Sequence, residues 1–341
     1  MSKCPYCHVV LPQAAKVPRE GALCACLNCL NPCLAKQEGI EVICTAIEGW
    51  RDARADAALS SLARRVLSQL ADAVSNLPVL PEVAQRIVGM AHDPMTSMSD
   101  VARVINEDTV MAMKVLKLAN SAFYANVQEI KNLDVACSRL GMKMVLKLAQ
   151  AAAGNNLYRA RNGATAGLMR QTWGHALVTA LCAGEIGTAI PGMSGDDLFL
   201  AGLVHDVGRV ALLNILGAQQ TGASGRRLTE EILQDVADHY HALAGLHVMQ
   251  CWGMSTDFRV MSLFHHAPES APLDSCRQLT EAIGLADSMA TALGYGVGTE
   301  VLPLDQACAK ATSLGVTQEQ AQAIMDGLRD QKDSLLEVLQ V

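Results

Sequence analysis

Seven side chains between residues 175 and 287 constrain this chain more than any other feature. His175 comes first, then the pair His205-Asp206, then His241, the doublet His265-His266, and Asp287. Gaps of 30, 35, 24 and 21 residues separate these groups, a spacing that suits one ligand group per helix in an all-α bundle. Imidazole nitrogens and carboxylate oxygens ligate divalent transition metals, and bundle cores build such centres from side chains on facing helices. Seven ligands suffice for a two-metal centre that activates water against a phosphate ester. His205 and Asp206 are the catalytic candidates in that case.

Composition agrees with a helical core. Half of the 341 residues are apolar and only 4% are aromatic. Ala, Leu, Val and Met therefore carry the packing, which suits closely apposed helices better than a β-sandwich. A net charge of −7 gives no basis for non-specific nucleic-acid binding, which needs a clustered basic face. The start, MSKCPYCHVV, lacks the apolar stretch of a signal peptide, and no uninterrupted apolar run reaches the roughly 18 residues of a membrane span. These features predict a cytoplasmic chain without a membrane partner. Its twelve cysteines are then thiols or metal ligands rather than disulfides.

The first forty residues carry two CxxC pairs, Cys4/Cys7 and Cys26/Cys29, with 18 residues between them. That spacing lets two knuckles close on one tetrahedral Zn2+. Pro12, Pro18 and Gly21 between the pairs predict a short β-ribbon, too small to fold on an apolar core without the metal. Cys24 and Cys33 lie close enough to replace a member of the second pair. Such a ribbon grips a partner or caps the chain. Residues 41–75 read as a linker that turns helical: Trp50 to Ala73 has no Pro or Gly and places Leu59, Leu62, Val66 and Leu70 at helical spacing. This helix docks on the main domain or pairs with a second copy in a homodimer.

Leu77-Pro-Val-Leu-Pro81 holds the chain extended. Helices follow at Glu82–Met90, after the caps Ser97 and Ser99, and after Asp108, where Met111, Val115 and Leu118 share a face. Here the sequence LPVLPEVAQRIVGM, then VINEDTVMAMKVLKLANSAFY and DVACSRLGMKMVLKLA, closely resembles the HDOD family of bacterial signal-output domains. WGHAL at 173–177, LFLAGLVHDVGRVAL at 198–212, HYHALAGLHVMQCWGM at 239–254 and FHHAP at 264–268 fit in order and spacing. The resemblance covers about residues 70–290. One departure is Thr109, where the family usually has proline.

The resemblance implies an all-α fold, related to the HD phosphohydrolases, that acts in signalling by binding a protein partner or a ligand, generally without catalysis. It assigns residues 76–290 to the HDOD-like domain and leaves 291–341 as a helical tail, which packs on the bundle or self-associates. By the same resemblance, His175, His205, Asp206 and Asp287 are the minimal metal set of the HD enzymes. His241, His265 and His266 correspond to the extra histidines of cyclic-di-GMP phosphodiesterases, and Asp206 bridges the two metals. The alternative function is thus a metal-dependent phosphohydrolase for a nucleotide or cyclic dinucleotide. Three features oppose it: no Gly-Tyr-Pro loop follows His266, Arg209 stands where those enzymes usually have lysine, and no glutamate clearly supplies a further bridge, although Glu185 and Glu281 qualify by type. His239 is expected outside the centre, because it lies two residues from His241 on another helical face. His92 and His247 are expected to have no special task. Met142, Met144, Met169, Met249, Met254 and Met261 read as core packing.

Overall fold

The computed structural model describes residues 22–25, 32–38 and 41–46, single positions between Leu62 and Met90, and residues 95–339 apart from 125–128, 161–162, 221–227, 299–302 and 312. The zinc ligands expected from the sequence, Cys4, Cys7, Cys26 and Cys29, lie outside the described residues, as do Leu59, His92 and most of the stretch from 77 to 90.

Three antiparallel strands open the described chain: β1 (Ala22–Ala25), β2 (Pro32–Glu38) and β3 (Glu41–Ala46), in the order β1-β2-β3. In this register Cys24 stands opposite Cys33. Strand β1 lies between the two CxxC pairs, the rest of that segment lies outside the described residues, and the sheet runs on to Ala46. The β-branched residues Val42, Ile43 and Thr45 favour a strand there. From the expected linker helix, Val66 and Leu70 are fully buried in the same apolar core as the main domain. Gln219 donates a side-chain hydrogen bond to Gln69 at 3.3 Å. These contacts are those of docking.

The regular elements described after residue 95 are all helical. The helices are α1 (Met98–Ile105), α2 (Thr109–Ala119), α3 (Leu133–Asn155), α4 (Ala166–Ala189), α5 (Gly195–Val204), α6 (Val207–Gln220), α7 (Glu230–Cys251), α8 (Thr256–Phe264), α9 (Arg277–Ala290), α10 (Leu304–Lys310) and α11 (Gln318–Leu339). Local chemistry sets their starts. Ser97 and Asp100 form a reciprocal capping box on α1, and Asp108 accepts from the backbone N–H groups of Val110 and Met111 on α2. Asp108 alone starts α2 at Thr109, so the missing proline costs nothing visible. Gly141, at φ +76°, kinks α3.

Helix α4 is the central element and is buried on nearly every side along Leu168–Gly187. It packs on α5 and α9, while α6 packs on α7 and α7 on α8. The stretch from Gly195 to Gln219 has the length and apolarity of a membrane span, but 89% of its most apolar 18 residues are buried inside the protein, as in a core helix pair. Met144, Met169, Met249 and Met261 are core residues, as expected, with Met142 and Met254 packed against that core. The C-terminal helix α11 packs on the bundle through Leu328, Leu335, Leu336 and Leu339, and Gln331 donates to the Tyr124 hydroxyl at 2.8 Å.

Two close backbone approaches draw the helices together around the histidines. A Cβ on Gly208 would lie 1.9 Å from the His241 carbonyl oxygen, and one on Gly284 would lie 2.4 Å from that of His265. Only glycine lets α6 reach α7, and α9 reach the end of α8, at these points. A Gly208→Ala substitution should destabilise the protein by about 1–3 kcal/mol or more, because the opposing atom is backbone and the helices must separate. Gly167→Ala, at a position with nothing within 4 Å, should be neutral or slightly stabilising. Denaturant melts of the two variants check this.

Candidate metal centre

All seven sequence-predicted side chains meet in one place. His175 projects from the middle of α4, His205 and Asp206 from the break between α5 and α6, and His241 from α7. His265 and His266 follow the end of α8, and Asp287 sits near the end of α9. Five of them are at most 4% exposed: His175, His205, Asp206, His241 and His265. Asp287 and His266 form the more open edge, with side chains 15% and 28% exposed.

Asp206 is the hub. Its Oδ1 faces His241 Nε2 at 3.5 Å and His265 Nε2 at 3.8 Å. Its Oδ2 faces His205 Nε2 at 3.9 Å and His175 Nε2 at 4.0 Å. On one side, His175 Nε2 lies 3.2 Å from His205 Nε2 and 3.0 Å from Asp287 Oδ1. On the other, His241 Nε2 lies 2.9 Å from His266 Nε2. The ligand atoms fall into sets that fit single ions, including His175/His205/Asp287 and His241/His265/His266. Two ligands about 2.1 Å from one tetrahedral ion lie about 3.4 Å apart, so these separations suit shared cations.

The ring nitrogens on the far side explain the orientation. His175 Nδ1 donates to the Tyr295 carbonyl at 2.8 Å, His205 Nδ1 to Gly202 at 2.8 Å, His241 Nδ1 to Asp238 at 2.8 Å and His265 Nδ1 to Ser262 at 3.0 Å. A backbone carbonyl can only accept, so each of these Nδ1 atoms carries a proton; in the neutral rings of His205, His241 and His265 this turns the Nε2 lone pair inward, whereas His175 Nε2 donates to Asp287 Oδ1. Metal-bound histidines are oriented in this way. His265 Nε2 and Asp206 Oδ1 are buried without a hydrogen-bond partner, although buried polar atoms normally have one. A divalent cation satisfies both, so the residues fit a metal. It would supply Lewis acidity and a lowered pKa for bound water.

Charge follows the same geometry. Burial pushes the His205 imidazole down to about 4 and that of His266 down to about 3, and it holds His241 well below its ordinary value. Burial also acts downward on His175, but its hydrogen bond to Asp287 and that carboxylate's charge outweigh it and raise the group. Burial works to raise Asp206, yet the Arg209 guanidinium and the surrounding histidines hold its carboxyl well below the usual range.

Residues outside the expected seven complete the centre. Arg209 Nε donates to Asp206 Oδ2 at 2.8 Å, and Arg209 also bonds Asp238, which belongs to no motif legible in the sequence. Asp238 lies three residues before His241, one turn along the same face of α7. The Tyr295 carbonyl is likewise unmarked in the sequence; it sits in a π-helical turn, 291–295, with Gly294 at φ +89°. Glu185 and Glu281 are engaged elsewhere, with Lys147 at 3.1 Å and with the backbone N–H and hydroxyl of Ser313 at 2.8 and 2.6 Å. His239 is exposed and points away from the centre, as expected. His247 is buried with neither nitrogen bonded, and burial alone pushes it down to about 4.

Depressed histidines tie stability to pH. A histidine that titrates near 6.5 when unfolded but near 4 when folded binds fewer protons in the native state. Its contribution is present above pH 6.5 and is lost as pH falls toward 4. His205, His241, His247 and His266 act in this sense, and His175 opposes them. The metal-free protein should therefore lose stability steeply between about pH 6.5 and 4. Thermal melts across that range check it, and a flat profile would contradict the buried, neutral cluster.

Comparison with known proteins places this geometry. Residues 77–268, more than half of the chain, match the HDOD domain family. Among solved structures, a proposed metal-dependent phosphohydrolase from Shewanella amazonensis SB2B is 23% identical and superposes with a TM-score of 0.60, covering 83% of this chain and 99% of that one. An HDOD domain protein of unknown function from Geobacter sulfurreducens is 21% identical, with a TM-score of 0.57 over 82% and 96% of the two chains. A proposed signal transduction protein from Marinobacter aquaeolei VT8 is 22% identical, with a TM-score of 0.57 over 85% and 69%. An uncharacterized protein of Treponema pallidum (strain Nichols) is 23% identical over 221 residues, which is 61% of this chain but only 41% of that relative. At these identities the likeness speaks for the fold. The chain belongs to the HDOD domain family.

Proposed function

We propose that this protein is a cytoplasmic signalling module that holds divalent metal in an HD-type centre and acts by binding a protein partner, without turnover. The observation that carries the reading is the combination of a complete ligand set with a closed centre. Five of its seven ligands are at most 4% exposed, and Arg209 already occupies the Oδ2 of Asp206. A phosphate ester must reach the metal to be attacked, and the only partly open edge of the ligand set is the His266/Asp287 side. In such a centre the metal stabilises the arrangement of α4 to α9 that a partner recognises. The cysteines Cys4, Cys7, Cys26 and Cys29 would hold a separate structural Zn2+ and present a small recognition element ahead of the domain.

A second reading has its own support: the full set of seven ligands, rather than a remnant, is the equipment of a metal-dependent phosphohydrolase for a nucleotide or cyclic dinucleotide.

Metal content and turnover, measured together, decide between them. The purified protein should carry metal beyond the single zinc that a Cys4→Ser/Cys7→Ser variant removes. The remaining metal should vanish in Asp206→Asn. Saturating metal at 100 times its Kd should stabilise the fold by about 2.7 kcal/mol. No hydrolysis of cyclic dinucleotides or nucleotide phosphates is expected from the metal-loaded protein. Hydrolysis that disappears in a folded Asp206→Asn variant would establish the enzyme instead.

A further inference from the structure

The Arg209 guanidinium is the one cation bonded to the hub carboxylate among the described residues, and its surroundings are built to keep it there. Arg209 is 5% exposed, Asp238 is 6% and Asp206 is 2%. The side chain spans two carboxylates: Nε donates to Asp206 Oδ2 at 2.8 Å, and Nη1 bonds Asp238 Oδ1. The backbone at Gly298, at φ +82°, covers the pair so closely that a Cβ there would lie 2.6 Å from Asp238 Oδ1 and 2.8 Å from Arg209 Nη2. A planar guanidinium can serve two acceptors at once, which a compact ammonium cannot.

We propose that Arg209 is a built-in competitor for the metal, and that Asp238 sets the strength of this competition by sharing its charge. The inference rests on the reading that the centre holds metal. In the metal-free protein Arg209 compensates the buried Asp206 carboxylate, which would otherwise be costly to keep ionised away from water. A divalent ion at the same carboxylate meets a fixed positive charge one hydrogen bond away, so its affinity falls by the stabilisation that Arg209 gives the empty state. Asp238 draws part of that charge away from Asp206 and so moderates the penalty. Arg209 and Asp238 are thus positioning residues that tune metal affinity without ligating metal.

The two partners predict opposite signs. Removing the charge with Arg209→Gln raises the energy of the empty centre more than that of the filled one, so metal binds tighter. Removing the counter-charge with Asp238→Asn leaves the guanidinium wholly to Asp206, so metal binds more weakly. A charge-assisted hydrogen bond in a buried site corresponds to about tenfold or more in affinity.

The test is Mn2+ binding to the full-length chain and both variants, read by electron paramagnetic resonance of free against bound ion. Mn2+ favours oxygen and imidazole ligands, so the N-terminal thiols do not compete for it. The expected order is Arg209→Gln tightest, then wild type, then Asp238→Asn, with about tenfold steps. Unchanged or weaker binding in Arg209→Gln overturns the inference, as does unchanged or tighter binding in Asp238→Asn. Should one variant fail to fold, the other still decides. Failure of wild type to bind Mn2+ sinks the metal-holding reading itself, a different result from a wild type that binds and variants that do not differ from it.

Discussion

Everything in this domain depends on keeping one carboxylate, Asp206, ionised in the interior. The group is 2% exposed, and an uncompensated buried charge is among the costliest features a fold can carry. Without a metal, the protein meets that cost with a cation on one side. Arg209 bonds Oδ2 directly. His205, His241 and His265 turn lone pairs rather than protons toward Asp206 in their neutral form, because their Nδ1–H groups are committed to backbone carbonyls, while His175 gives its Nε2 proton to Asp287. Lone pairs facing a carboxylate repel it, and the arrangement becomes favourable only when a cation lies between them. The fold is therefore shaped for an ion, and the unbonded His265 Nε2 and Asp206 Oδ1 mark where it is needed.

The same requirement explains the packing. Ligands from α4, α7 and α9 and from the ends of α5 and α8 converge only if those elements approach closely, and this is where glycines sit against backbone carbonyls of the ligands themselves. Gly208 meets His241, and Gly284 meets His265. The apolar core and the polar centre are in this sense one construction. Helix α4 supplies buried surface along most of its length and also the imidazole of His175.

Much of the fold and of this centre could be read from the sequence, and the reasons are physical. A histidine or an aspartate that ligates metal must come from a fixed element, so one ligand group per helix leaves a spacing that survives in one dimension. Ser97 and Asp108 were legible as caps because capping depends on the residue type at a single position. Asp238 was not legible, since an acid on an amphipathic helix looks like a solvated one until Arg209 is seen folded back onto it. Tyr295 was hidden for a different reason: its contribution is a carbonyl, which every residue possesses, placed by a π-helical turn that no side-chain pattern announces. Glu185 and Glu281 show the converse. Their type suited a bridging ligand, but Lys147 and Ser313 engage them elsewhere. Strand β1, Ala22–Ala25, falls in the segment where the cysteines suggested a ribbon, and β-branched residues beyond the second CxxC pair carry the sheet on to Ala46.

The sharpest test of a cation-shaped centre is anomalous scattering from crystals of the full-length protein soaked in Mn2+. Such a centre should give a peak beside Asp206, about 2.0–2.3 Å from imidazole Nε2 atoms, with the Nδ1 atoms of His175, His205, His241 and His265 still bonded to their backbone carbonyls. A second peak on the other side of the carboxylate would fill both halves of the centre. A soaked crystal with no anomalous signal there, and with Asp206 still bonded to Arg209 alone, would contradict a metal-holding centre.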